Sequence, residues 1–93
     1  MQLQTFKTLW GNTLPIHDAC QQARLASFDG IEGRAPSTQH ERLLWLDALD
    51  QNHSAYIAEI VTGEDYVPNR KWGVQQHLDD LALQLENSLP LNP

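Results

Sequence analysis

The sequence predicts a parallel α/β chain in the order β-α-β-α-β-α, and three observations predict it. Ala55-Tyr-Ile-Ala-Glu-Ile-Val-Thr-Gly63 is apolar and β-branched at nearly every position, the pattern of a strand buried on both faces and covered by helices. Candidate strands ending at Leu9, Glu32 and Glu59 recur at an interval of about 25 residues, the repeat of a βα unit. The segments between them carry apolar residues at helical spacing.

The first strand is read from Gln2 to Trp10, which carries Leu3, Phe6, Leu9 and Trp10 with threonine between them. Gly11-Asn-Thr13 is turn chemistry. Pro15 suits a first helical position, with Thr13 or Leu14 as the cap before it. Ile16, Ala19, Cys20, Ala23 and Ala26 then share a face in a helix running to about Ser27.

Phe28-Asp-Gly-Ile-Glu-Gly33 is the second strand, ended by glycine. Thr38 stands three residues before Glu41, a capping box that opens the second helix. Leu43, Leu44, Leu46 and Leu49 supply its expected buried stripe, and Asn52 its C-terminal stop. The third strand spans Ala55 to Val61. A polar loop, Glu64 to Arg70, leads to a third helix with Val74, Leu78, Leu81, Leu85 and Leu89 on one face, ended by Pro90.

Right-handed crossovers put consecutive helices on one side of strands laid down in order. The other side of the sheet then has no cover within these 93 residues. A closed eight-stranded barrel would cover it, and three units do not close one. A missing C-terminal portion or a partner chain is therefore expected, and a homo-oligomer is one such arrangement.

Composition narrows the functions. The chain is 41% hydrophobic and 19% charged, with a net charge of −6 and a pI of about 4.9. That acidic balance, with its few cations scattered, disfavours nucleic acid and anionic membrane surfaces, both of which need clustered Lys and Arg. No apolar run reaches the length of a membrane span and Met1-Gln-Leu-Gln is no secretory signal, so the cytoplasm is the expected compartment. Cys20 is alone, which excludes a disulfide framework, and it reads as a buried inert thiol. His40-Glu-Arg-Leu-Leu44 opens like a zinc-protease helix but carries Leu44 where the second histidine is needed. His17, His40, His53 and His77 show no ligand spacing and read as exposed helix histidines.

Lys7-Thr-Leu-Trp-Gly11, Phe28-Asp-Gly-Ile-Glu-Gly33 and Tyr56-Ile-Ala-Glu-Ile-Val-Thr-Gly63 resemble the first three strands of the xylose isomerase-like TIM-barrel superfamily, the sugar and sugar-phosphate isomerases and epimerases. The resemblance covers residues 1–93 and implies about three of the eight βα units of an incomplete barrel. It implies a divalent metal, Mn²⁺, Mg²⁺ or similar, bound by acids and a histidine of later strands outside this chain, with none held by the chain alone. It also implies proton-shift chemistry on a ketose or aldose, and a segment inactive by itself. The same resemblance makes Trp10, Glu32, Glu59 and Thr62 the near wall of a sugar-binding pocket. Each has a plainer reading. Glu32 could bond backbone or Arg34, Glu59 could have a structural partner inside its apolar strand, and Trp10 could be core. The alternative to an enzyme segment is a non-catalytic βα module that self-associates, or pairs with a companion chain, through its uncovered sheet face.

Overall fold

In a computed structural model, which describes residues 3–62 and 72–93, the chain forms β1 (Phe6–Thr8), α1 (Ile16–Leu25), β2 (Gly30–Gly33), α2 (Gln39–Gln51), β3 (Ala55–Ala58), α3 (Val74–Ser88) and a closing 3₁₀ turn (Leu89–Leu91). The three strands make one parallel sheet in the order β1-β2-β3. The fold class read from the sequence is therefore the one observed, as an open βα segment with no closed barrel. The polar loop ahead of α3 lies outside the described residues.

Register decides which side chains are covered. Lys7 aligns with Ile31 and Tyr56, and the next step aligns Thr8 with Glu32 and Ile57. Successive strand residues point to opposite faces. Ile31 and Tyr56 are buried against α1 and α2, whereas Thr8 and Ile57 are exposed on the other face. The core is thus a single layer between sheet and helices, built on Cys20, Ala23, Ile31, Ala48, Leu49 and Tyr56 and closed at one end by Leu91.

Two residues of Phe28-Asp-Gly-Ile-Glu have structural duties. Asp29 Oδ2 accepts the Thr5 backbone N–H at 2.7 Å, which fastens β1 to the start of β2. Gly30 lets β3 approach, since a Cβ there would collide with the Ala55 carbonyl and with the Phe6 ring.

Several element details depart from the sequence reading. β1 and β3 are shorter than the apolar runs that announced them, with regular pairing to β2 over Phe6–Thr8 and Ala55–Ala58. Pro15 is itself the N-cap of α1, and neither Thr13 nor Leu14 caps it. Instead Asn12 closes a local turn, its Oδ1 accepting from Leu14 N at 3.2 Å. Thr38 does cap α2, its hydroxyl accepting from Glu41 N at 3.2 Å. Asn52 is the C-cap of α2 as expected. The stripe of α2 is corrected in part. Leu46 and Leu49 pack on the core as expected, but Leu43 and Leu44 are exposed, and Trp45 and Ala48 complete the inner face. Leucine stands on more than one side of this helix, so leucine positions alone did not mark its inner face.

Candidate functional site

The carboxyl ends of the three strands define one rim of the sheet, where open α/β folds place ligands. Glu32 is the third residue of β2, half-buried, and flanked in register by Thr8 and Ile57 on the open face. Glu59 follows Ile57 by two residues, the period that returns a strand to the same face. Its N–H donates to the Gly33 carbonyl at 3.0 Å, so the parallel ladder runs one residue beyond β3. With strands about 4.8 Å apart and a rise of about 3.3 Å per residue, the two acids stand about 8 Å apart at Cα on adjacent strands. The fold thus brings Glu32 and Glu59 together as diagonal neighbours.

Trp10 and Thr62 have different surroundings. The chain turns directly after β1, with Trp10 N donating to Thr8 Oγ1 at 3.2 Å. Trp10 is 71% exposed and lines a groove of about 260 Å³ between β1 and α1, together with Leu9, Leu14, Ala19, Ala23 and Phe28. It is therefore part of a groove that runs on the α1 side of the sheet. Thr62 is half-buried at the end of the β3 run, and its hydroxyl shares a 2.8 Å hydrogen bond with His77 Nδ1. Trp72 lies against the same imidazole, with ring centroids 5.5 Å apart.

His77 is a residue the sequence reading set aside with the exposed helix histidines. It is half-buried, and with Gln84 it holds α3 to the strand end. The Gln84 side-chain amide accepts from Val61 N–H at 3.1 Å and donates to Val61 C=O at 2.7 Å, as a neighbouring strand would. His77 and Gln84 are seven residues apart, two helical turns, and that polar spacing was the available signal. His17 departs from the reading as well, since it is half-buried and Nε2 lies 2.9 Å from Asp47 Oδ2, tying α1 to α2. His40 and His53 are exposed.

Behind the rim, Tyr56 fixes the shape of the sheet from the covered side. Its hydroxyl donates to the Gly33 carbonyl at 2.7 Å, and its ring meets Trp45 edge-on with centroids 5.8 Å apart. Burial first, and then the charge of Glu59, push the Tyr56 phenol up to about 12. Burial likewise pushes the Cys20 thiol up to about 11, which keeps it neutral and unreactive, as its sequence context suggested.

Among the described residues no three His, Cys, Asp or Glu side chains converge as a metal site. Two acids on one wall are fewer donors than a divalent cation takes. No helix among the described residues is long and apolar enough to cross a membrane. Compared with known proteins, the chain matches no family model, no curated protein and no solved structure.

Proposed function

We propose that the open face of this sheet is one wall of a sugar-binding pocket, in the amino-terminal part of a cytoplasmic isomerase or epimerase-like βα barrel. The observation that carries it is the pairing of Glu32 and Glu59 at the carboxyl rim of a parallel sheet whose opposite face is the covered one. A polyhydroxylated ligand suits that wall. Carboxylates accept hydrogen bonds from sugar hydroxyls, and Thr8 adds a hydroxyl beside them. The half-buried position strengthens such bonds relative to water.

In this reading Glu32 and Glu59 orient hydroxyls next to the carbon at which a proton moves. An acid placed there is within reach of that proton, to take it or to return it. The metal implied by the resemblance would polarise the carbonyl when bound, using donors outside residues 1–93. Alone, the segment is expected to bind weakly and not to turn over.

A titration of the ¹⁵N-labelled 93-residue chain with aldoses, ketoses and their phosphates tests the wall directly. Shifts concentrated at Thr8, Glu32 and Glu59, abolished by Glu32→Gln, are the expected result. Shifts absent from those positions at saturating sugar would overturn the reading. In a chain extended beyond Pro93, Glu59→Gln should lower turnover; unchanged kinetics with altered melting would leave that residue a structural role only.

A further inference from the structure

The Gly33 carbonyl, at the carboxyl end of β2, accepts hydrogen bonds from two residues of the neighbouring chain run. Glu59 N–H donates to it along the ladder at 3.0 Å. The Tyr56 hydroxyl donates to it from the covered side at 2.7 Å. A carbonyl oxygen has two lone pairs, so both are engaged here. One donor reaches Gly33 by its backbone and the other by its side chain.

The two bonds are unequal. Among the described residues, Glu59 N–H makes the last backbone rung between β2 and β3. A terminal rung opens readily, because water replaces it without disturbing what lies behind. The phenol bond is buried instead, and Trp45 of α2 meets the Tyr56 ring edge-on with centroids 5.8 Å apart. A bond in such low-dielectric surroundings is stronger than one at the surface, and it polarises the carbonyl it shares. The covered layer thus pins the acceptor on which the Glu59 backbone depends. Electrostatics place the two residues near each other as well. After burial, the charge of Glu59 is the second cause of the raised Tyr56 phenol.

We infer that Tyr56 is a positioning residue for Glu59. Through the Gly33 carbonyl it fixes the Glu59 backbone at the rim, and with it the separation of Glu59 from Glu32. This role rests on the sugar-wall reading, in which those two acids orient hydroxyls. Glu32 has its own support, because β2 lies between two strands and the Glu32 carbonyl accepts from Leu9 N–H at 2.8 Å. Loss of the phenol therefore acts on one acid and spares the other.

Tyr56→Phe keeps the ring and removes the donor. In NMR of the ¹³C,¹⁵N-labelled chain, a scalar coupling across the bond from Glu59 N–H to the Gly33 carbonyl should be present, and it should fade in the variant. Amide exchange at Glu59 should quicken by about fivefold relative to Ala55, whose N–H donates to Asp29 O at the opposite end of β3. A merely structural tyrosine would loosen both amides alike, so equal acceleration would overturn the inference. With xylose or fructose, shifts at Glu59 should diminish in the variant while those at Glu32 persist. Loss at both acids, or at neither, would overturn it too. A native chain without the coupling, or with a Tyr56 hydroxyl proton that exchanges too fast to be observed, would do so with no variant needed. Sugars that shift no signal of the native chain would overturn the sugar wall and, with it, any role of Tyr56 in binding. The coupling and exchange results would then still bear on the brace alone, which keeps the two failures apart.

Discussion

Ile31 and Ile57 lie on adjacent strands, one register step apart, yet they live in different environments. Ile31 is 0% exposed, under α1 and α2, whereas Ile57 is 41% exposed on the bare side. The helices show the same contrast. α2 lies across the groove between two strands, buries Ala48 and Leu49, and is tied to α1 by His17 and Asp47. α3 is longer, but among the described residues it lies beside a strand with one neighbour and buries Ser88 alone. An amphipathic element buries its apolar side only where two neighbours form the surface that receives it. Among the described residues, the half around β2 has such surfaces, and the flanks and the open face do not.

The largest expected effects break the covered side. Gly30→Ala forces a Cβ into the Ala55 carbonyl, and separation of β2 from β3 should cost about 3 kcal/mol. Ile31→Ala should cost about 3–4 kcal/mol through the cavity it leaves. Either loss is a large share of the stability of so small a domain, and urea unfolding should lose its cooperative transition. Ile57→Ala is the control on the bare face, with an expected cost under about 1 kcal/mol. Equal costs for the two isoleucines would mean that the open face is covered in solution.

Tyr56 sharpens the contrast through pH. Its phenol is raised from 10.0 to about 12 in the folded chain, so the folded state holds the proton more tightly than the unfolded one. Stability is therefore fully present below pH 10 and falls as pH rises through 12. Cys20, raised from 9.0 to about 11, adds a loss of the same sign that begins lower. Tyr56→Phe should remove the fall above pH 10 while leaving the earlier one. At pH 7 it should cost about 1 kcal/mol for the bond to Gly33. Urea midpoints measured from pH 7 to 12 give both numbers, and an unchanged alkaline slope would sink the assignment.

On the weaker side, Gln84→Ala removes both bonds to the Val61 backbone. Amide exchange should speed up along α3 and leave β2 and α2 protected, with a global cost of about 1 kcal/mol. If protection in β2 fell as much as in α3, the two sides would be one cooperative unit after all.

What could be read in the sequence follows the same division. The order of strands and helices along the chain was legible because it depends on apolar runs and spacing, and Thr38 with Glu41 announced the start of α2 through a local bond. The inner face of α2 was legible in part, at Leu46 and Leu49, since leucine lies on several sides and the sheet also selects Trp45 and Ala48. Glu32 and Glu59 stood out as candidates because charge at the end of an apolar strand is conspicuous. Thr62 was a candidate too, but its bond to His77 was not legible, because the pair is 15 residues apart and joined by the fold. Trp10 was assigned to the wall by the resemblance, and the turn after β1 carries it to the groove beside α1.

The helix ends give the smallest and most local prediction. α1 and α2 both close with the same pair of backbone bonds. Phe28 N donates to Ala23 O at 2.9 Å and Ser27 N to Arg24 O at 2.9 Å; Ser54 N donates to Leu49 O at 2.8 Å and His53 N to Asp50 O at 3.2 Å. That motif needs a left-handed residue just past the cap, a place that glycine takes without strain. Here Ser27 has φ 69° and His53 has φ 48°. Without the glycine signal, the sequence placed the end of α1 late, at about Ser27, although Asn52 marked the end of α2. Left-handed backbone costs a residue with a Cβ about 1–2 kcal/mol, part of which glycine returns through its freer unfolded chain. Ser27→Gly and His53→Gly should each therefore stabilise by about 0.5–1 kcal/mol, read as a rise of a few degrees in Tm. The two sites lie at separate helix ends, so their gains should add. A loss in either variant would mean that the side chain contributes a contact worth more than the strain it imposes.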